Sequence, residues 1–439
     1  MVKPLIDGRP PEPQKKENGR VTMIRKYELI TPLFGGGVKA NEVDVENPIR
    51  GTAVRGHLRF WWRATRGGRC NGSLDEMTKR EGEIWGTTDQ GSKITITVIE
   101  SNPGQPYVAR YRGDEVDVGD PNSPLGYVAF PLNQHGEKVY EGATFTLQID
   151  CPKAYRPDLK AALWAWETFG GIGARTRRGF GALHCVDVQL YIDGKKYKVN
   201  NWIWEYASQN TEEDIAGYMG KWIVEENFPD DVPCLDKNSR RTHITPAAAH
   251  AETAWKDLFG SLKKFRQNRA PNAQGRPYGR SRWPDPDAIR NLTGQSLKAR
   301  GHDTPVYPAT PTNPAIDKKF PRAAFGLPIV FEFHRDQRGT TPNTDPITTE
   351  LKPMDYKRRA SRLILRPLKC SDGRFVGVAT ILQGKIIPPG GLELTKSPRN
   401  PIVGAEKLDP KTEAPRIQAN HPNYNGKTDI LQAFLDQLP

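Results

Sequence analysis

The feature that most constrains this chain is an order of periodicities. Within the first 195 residues, strand-like and helix-like segments follow one another as β-α-β-β-α-β. The first strand candidate is Tyr27–Leu33, just ahead of the loop Gly35-Gly36-Gly37. A helix candidate then runs from Thr52, a side chain suited to an N-cap, to about Thr65, and Gly67-Gly68 closes it. Lys93–Glu100 sets Ile94, Ile96 and Val98 against Thr95 and Thr97, and Ala143–Asp150 repeats the pattern with Phe145, Leu147 and Ile149. A second helix fits Asp158–Phe169, with Pro157 near its first turn, and Leu183–Ile192 reads as the fourth strand. This is the ferredoxin-like order, so the expected fold class is α+β.

The second half follows a looser version of the plan. Helical patterns cover Thr211–Asn227 and Thr245–Asn268, and a Pro-, Gly- and Arg-rich stretch from Arg269 to about Arg322 reads as loop. Strand-like runs return at Leu327–Phe333, Arg362–Leu368 and Phe375–Leu382, and a short amphipathic segment, Asp429–Leu438, ends the chain. The expected division is a mobile N-terminal arm over 1–24, a first domain over 25–195 and a second over 196–385 with a basic insertion at about 269–322. A C-terminal extension occupies 386–439. With 41 glycines and 38 prolines in 439 residues, long irregular connections are expected. No run approaches 18 apolar residues, so no membrane span is expected, and the N-terminus lacks the apolar region of a secretion signal. Five isolated cysteines, with no CxxC or CxxH pair, build neither a zinc site nor a disulfide framework, so a reducing cytoplasmic setting is expected.

The formal net charge is +13, which favours polyanionic partners, nucleic acid foremost. The charge is concentrated. Phe259–Arg322 holds thirteen Lys/Arg against four Asp/Glu, and Lys352–Lys369 seven against one. Such runs are often plain solvated loops. Here Tyr278, Trp283 and Tyr356 interleave with the charges, as rings that stack bases beside arginines would. Arg282, Trp283, Arg358 and Arg359 are therefore candidate contacts. On the first helix, at ~100° per residue, Arg55, Arg59, Arg63 and Arg66 fall within an arc of about 80°, apart from the stripe of Val54, Leu58, Trp61 and Thr65. Like charges at this spacing repel, so the stripe faces either an anionic partner or acids from elsewhere in the chain. The stretch Gly170–Gly181 (GGIGARTRRGFG) brings Gly171, Gly173, Arg175, Arg177 and Arg178 into one loop that suits phosphate approach. It has no GK[ST], so it is not a P-loop, and it follows a helix, so it is not a Rossmann fingerprint. A tight inert turn is the simpler account.

The segments Thr31–Gly37 (TPLFGGG), Ile49–Ala64 (IRGTAVRGHLRFWWRA), Glu83–Gly86 (EIWG) and Gly170–Leu183 (GGIGARTRRGFGAL) resemble one family. So do Ser281–Arg290, Phe320–Phe333 and Arg358–Leu368. The family is that of first subunits of the Cmr complex, the type III-B CRISPR RNA-guided effector assembled from RAMP-superfamily proteins. The resemblance implies two RAMP-type ferredoxin-like (RRM-like) domains with long Gly/Pro/Arg-rich insertions. It implies a subunit beside the other RAMP subunits that holds the 3′ part of the guide RNA and helps capture target RNA. In that family target cleavage belongs to the repeated backbone subunit and nucleotide cyclisation to the large subunit. Ile49–Arg55 corresponds to the segment that meets guide backbone at a helix N-terminus, which adds Arg50 and Thr52 to the candidates, and Gly170–Gly181 corresponds to the glycine-rich loop.

Nothing in the residues assembles a catalytic site. His57, His135 and His184 have no partner readable from spacing, and Asp114–Asp120 (DEVDVGD) reads as a solvated loop before it reads as a cation site. The expectation is a binding protein without catalytic residues, metal or cofactor. The rivals are a metal-independent guide-processing endoribonuclease using His57 or His184, and a purely structural cap.

Overall fold

The computed structural model describes residues 19–39, 41–132, 138–224, 227–269, 281, 283–293, 320–333, 348–385, 388, 390–396 and 429–439. The first body is an antiparallel sheet of β1 (Arg20–Leu29), β2 (Thr95–Asn102), β3 (Thr144–Pro152), β4 (Leu183–Ile192) and β5 (Lys195–Tyr197). Their spatial order is β2-β3-β1-β4-β5. The helices α1 (Gly51–Arg66) and α3 (Arg156–Phe169) pack together in the same core as the sheet, and α2 (Leu74–Trp85) follows α1. The fold is mixed helix and sheet, as expected. In β1, Val21, Met23, Tyr27 and Leu29 face inward with the period of two that one covered face requires. The strand starts seven residues before the expected Tyr27, so residues 20–24 belong to the sheet rather than to an arm. Arg25 hid this, because a buried arginine interrupts the apolar alternation. Helix α2 was missed, although its Ser73-x-x-Glu76 start is a capping signal; Ser73 Oγ accepts from the Glu76 N–H at 3.2 Å.

In the second half, β6 (Thr242–Ile244), β9 (Leu363–Lys369) and β10 (Phe375–Ile381) form a sheet in the order β6-β10-β9. Helix α5 (Ala251–Arg266) covers it through Leu258, Leu262 and Phe265 against Leu363, Leu365, Ala379 and Ile381. This helix starts six residues later than expected because Ala248 is still extended and bridges to Phe375. A smaller sheet, β7 (Ile329–Phe331), β8 (Thr349–Pro353) and β11 (Leu392–Lys396), shares a core with Ile289 of α6 (Asp285–Thr293). The stretch read as an all-loop insertion thus contains a helix. The last helix, α7 (Ile430–Leu435), capped by Asp429, puts Phe434 within 5.5 Å of the Phe265 ring, so the end of the chain is part of this core.

The two halves are not separated at residue 195. Trp202, Ile203, Tyr206 and, from α4 (Thr211–Trp222), Ile215 and Met219 join the first core, as do Ile364, Leu368, Val376 and Val378 of the second sheet. Helix α4 ends at Trp222, before the expected Asn227, where Ile223 turns extended. Arg366 of β9 is fully buried across this junction. It donates to the carbonyls of Glu167 (2.7 Å) and Gly170 (2.8 Å) at the C-terminus of α3, and to that of Leu183 (2.7 Å). All five cysteines are free and buried. Among the described residues, no helix is long and apolar enough to cross a membrane.

Candidate nucleic-acid interface

The glycine-rich loop expected to approach phosphate, Gly170–Gly181, lies against Thr31–Gly37. The Ala174 N–H donates to Phe34 O at 2.7 Å, the Gly181 N–H to Pro32 O at 2.9 Å, and Thr31 Oγ1 to Gly179 O at 2.6 Å. Gly173 has φ +85°, and a Cβ there would come 2.7 Å from Phe34 O; Gly171 forms a bridge with Ala182. At Gly181, φ is +61° and a Cβ would overlap the Ile172 carbonyl. These glycines serve close backbone packing first. Gly181→Ala is accordingly expected to lower stability by roughly 1–3 kcal/mol through strain alone, with the clash in addition. Gly194→Ala, also at positive φ (+77°) but in open space, should cost only the strain. Thermal melts of the two variants compare them directly.

Arg50 joins this pair of loops to α1. It stands at the N-cap, exposed, and its guanidinium donates to the Gly36 carbonyl. Thr52 was expected to cap the helix but lies inside the first turn, exposed, and no side chain caps this end; the first turn also carries no acid. The positive end of a 16-residue helix is therefore left open beside Gly36.

The arginine stripe is only partly free. Arg59 and Arg63 both bind Glu81 Oε1 of α2, each at 2.6 Å, which corrects their reading as open RNA contacts. Two guanidiniums on one carboxylate leave about one net charge. Arg66 is also corrected: it is 6 % exposed, turned under α4 with its guanidinium 5.8 Å from the centre of the Trp222 ring. Among the described residues Arg55 has no ion pair, and its Nε is unpartnered.

The arginines of the second loop point into the seam between the halves rather than out to solvent. Arg175 lies 4.9 Å over the Phe130 ring and Arg177 5.4 Å over Phe60. Arg177 also donates to the Ser361 carbonyl, and Arg178 to the carbonyls of Phe325 (2.8 Å) and Leu363 (3.2 Å). None of the three has a carboxylate partner among the described residues. Burial pushes all three down, to about 10, 10 and 9 for Arg175, Arg177 and Arg178, with Arg362 adding to the effect on Arg177 and Arg266 to that on Arg178. Through Ser361 this loop meets the basic segment of the second half. There Arg358 is exposed beside Tyr356, which is 55 % exposed, while Arg359 is half-buried and donates to the Lys385 carbonyl. Sequence reasoning missed Arg362, which burial and then Arg359 push down to about 10.

Trp283 does not stack on anything outside. It is 2 % exposed, packed edge-on to Phe265 at 5.5 Å with its indole N–H on Phe265 O, so its place between basic residues misled. Arg282, Tyr278 and His135 lie outside the described residues. Burial pushes His57 down to about 4 as it stacks 6.3 Å from Trp166; His184 is also pushed down to about 4, by burial and then by Lys369. In Asp114–Asp120, Asp114–Val116 forms a short strand, and no group of three potential metal ligands occurs among the described residues.

Residues 26–184, which hold the end of β1, β2, β3, the start of β4, both glycine loops and the stripe, match the family model of the RAMP superfamily. The chain is also similar to Cmr subunits. It is 25 % identical over 146 residues to the Cmr subunit Cmr1-1 of Pyrococcus furiosus, covering 31 % of this chain and 40 % of that one. It is 25 % identical over 177 residues to Cmr1-2 of the same organism, covering 36 % and 92 %. The match thus spans well under two thirds of the first relative and nearly all of the second. A chain in a cryo-EM structure of a type III-B Cmr-beta bound to cognate target RNA and AMPPnP, in the presence of ssDNA, shares the fold. Its TM-score is 0.51 at 15 % identity, over 95 % of this chain and 99 % of that one.

Proposed function

We propose that this chain is a non-catalytic RNA-binding subunit of a type III-B CRISPR effector, built on two ferredoxin-like domains with long insertions. It holds the 3′ part of the guide RNA beside the other RAMP subunits and helps to capture target RNA. The observation that carries the reading is the convergence of the open α1 N-terminus, Arg50 on Gly36, and the seam arginines Arg175, Arg177, Arg178 and Arg362. Guanidiniums half-buried (Arg175, Arg177, Arg178) or buried (Arg362) and hydrogen-bonded to carbonyls or stacked on rings rather than paired with acids are costly, and a polyanion relieves that cost. The relatives' place in Cmr complexes, one of them bound to target RNA, agrees with this chemistry. Two histidines pushed down to about 4 are neutral at pH 7 and far from the operating range of a general acid, which favours binding over cleavage.

The test is a titration onto end-labelled single-stranded RNA in excess chelator, with native and denaturing lanes side by side. A retarded band with intact RNA is expected. Replacing Arg50, Arg55 and Arg358 together by Gln should flatten the log–log salt slope by about 2, at roughly 0.7 per phosphate contact on a single strand. Arg59→Gln with Arg63→Gln should change it less, because Glu81 already holds both. An unchanged slope in the triple variant removes the interface. A shortened RNA that vanishes on His57→Ala or His184→Ala replaces the reading with an endoribonuclease.

A further inference from the structure

A second cluster of cations lies at the other end of α1, some 20 Å from its first turn at 1.5 Å per residue. Its centre is Trp222 at the end of α4. Three cations surround that ring: Lys221 at 5.2 Å, Lys160 of α3 at 5.5 Å and Arg66 of α1 at 5.8 Å. Arg156 stands one turn before Lys160 on α3. Among the described residues one carboxylate serves the whole group, Asp158, and it is engaged by Trp62 Nε1 at 3.0 Å and by Arg69 at 3.8 Å.

The C-termini of α1 and α4 account for Arg66 and Lys221, since cations are favoured there. They do not account for Arg156 and Lys160, which sit in the first two turns of α3, where the helix dipole opposes positive charge. Three buried donors in the cluster also lack acceptors: Arg66 Nε, Arg156 Nε and Trp222 Nε1. Arg66 and Trp222 are 6 % and 8 % exposed, so open solvent is not the expected acceptor. Burial and then the neighbouring Arg156, Lys221 and Arg25 hold Lys160 below its usual range, and no acid opposes them.

We infer that Arg66, Arg156, Lys160, Lys221 and Trp222 form a second anion site, which takes a phosphate of the RNA backbone. The inference rests on the RNA-binding reading above. Phosphate supplies the acceptors that the guanidiniums and the indole lack, and its charge offsets the crowding of cations. With cations over its ring, Trp222 offers no free face to a base, so the site holds backbone regardless of sequence. A strand that reaches both ends of α1 is gripped at two points along the helix.

The indole N–H of Trp222 is the reporter. In protein labelled with ¹⁵N-tryptophan, ten indole signals are expected, and Trp222→Phe assigns the one that matters. Lys221→Gln, an exposed change next to it, gives the assignment if the Phe variant does not fold. Added oligouridylate should move this signal downfield over the concentrations that retard the RNA in gels. Lys160→Gln with Lys221→Gln should shift that transition about tenfold to weaker binding. The site is overturned if RNA is retarded while the Trp222 signal stays still. It is equally overturned if a polyglutamate peptide of the same charge moves the signal as well, or if inorganic phosphate moves it and oligouridylate does not. Failure of any RNA to bind refutes the parent reading and this site together, and is told apart by the gel.

Discussion

Arg366→Met should remove roughly 3–5 kcal/mol of folding stability, the range seen when a buried charged donor is withdrawn from fixed partners. The side chain is 0 % exposed, and its donors are spent on carbonyls: Glu167 and Gly170 at the end of α3, Leu183 at the start of β4, and Pro367 on its own strand. The last carbonyls of a helix have no intrahelical donor, and this end is buried, so water does not replace a lost guanidinium. Methionine fills much of the volume but leaves these acceptors orphaned. Arg366→Lys keeps the charge at the negative end of α3 and should recover part of the loss, with fewer donors in a different geometry. Urea unfolding at neutral pH measures both. A Met variant within about 1 kcal/mol of the parent would show that the carbonyls find other partners and that Arg366 is not what joins the halves. Because Gly170 opens the glycine-rich loop, the Met variant should also bind RNA less well even where it remains folded.

Arg366 shows why the sequence speaks unevenly. The strands β2, β3 and β4 and the helices α1 and α3 were legible because each carries several periods of apolar residues, and periodicity is local; β5 and the first part of β1 were not. The buried stripe of α1 (Val54, Leu58, Trp61, Thr65) was legible for the same reason. Charges behaved differently. A guanidinium looks alike in sequence whether it meets solvent, an acid 18 or 22 residues away, as Arg63 and Arg59 do on Glu81, or a carbonyl 196 residues away, as Arg366 does. Counting basic residues therefore found where charge concentrates and misjudged individual directions. Arg177 and Arg178 face the seam, Arg66 lies under α4, and Trp283 is core. Two backbone features were not legible either: the start of α1 is open where Thr52 was expected to cap it, and the two glycine loops pack on each other.

The same distinction makes the ion pair between β1 and α3 a sharp case. Arg25 and Glu167 are 2 % and 0 % exposed and joined by two hydrogen bonds of 3.0 and 2.9 Å, with Tyr27 donating to the carboxylate at 2.6 Å and Asn201 accepting from Arg25 at 3.2 Å. Burial works most strongly against the Arg25 charge, but Glu167 together with Tyr27 and Cys185 outweighs it and keeps the guanidinium protonated. Glu167→Leu strands that cation in the core and should cost roughly 3–5 kcal/mol, and Arg25→Leu strands the carboxylate at a similar cost. The double variant carries neither charge. It still leaves the Tyr27 hydroxyl and the Asn201 carbonyl without their partners, so it does not return to the parent's stability. It should nonetheless be more stable than the sum of the single losses predicts, by at least about 2 kcal/mol, and adding Tyr27→Phe should recover more. A urea-unfolding cycle over the four proteins reads this coupling. Additive losses would mean that each side chain acts through packing alone, and that the pair contributes to β1 and α3 no more than two apolar residues of the same volume would.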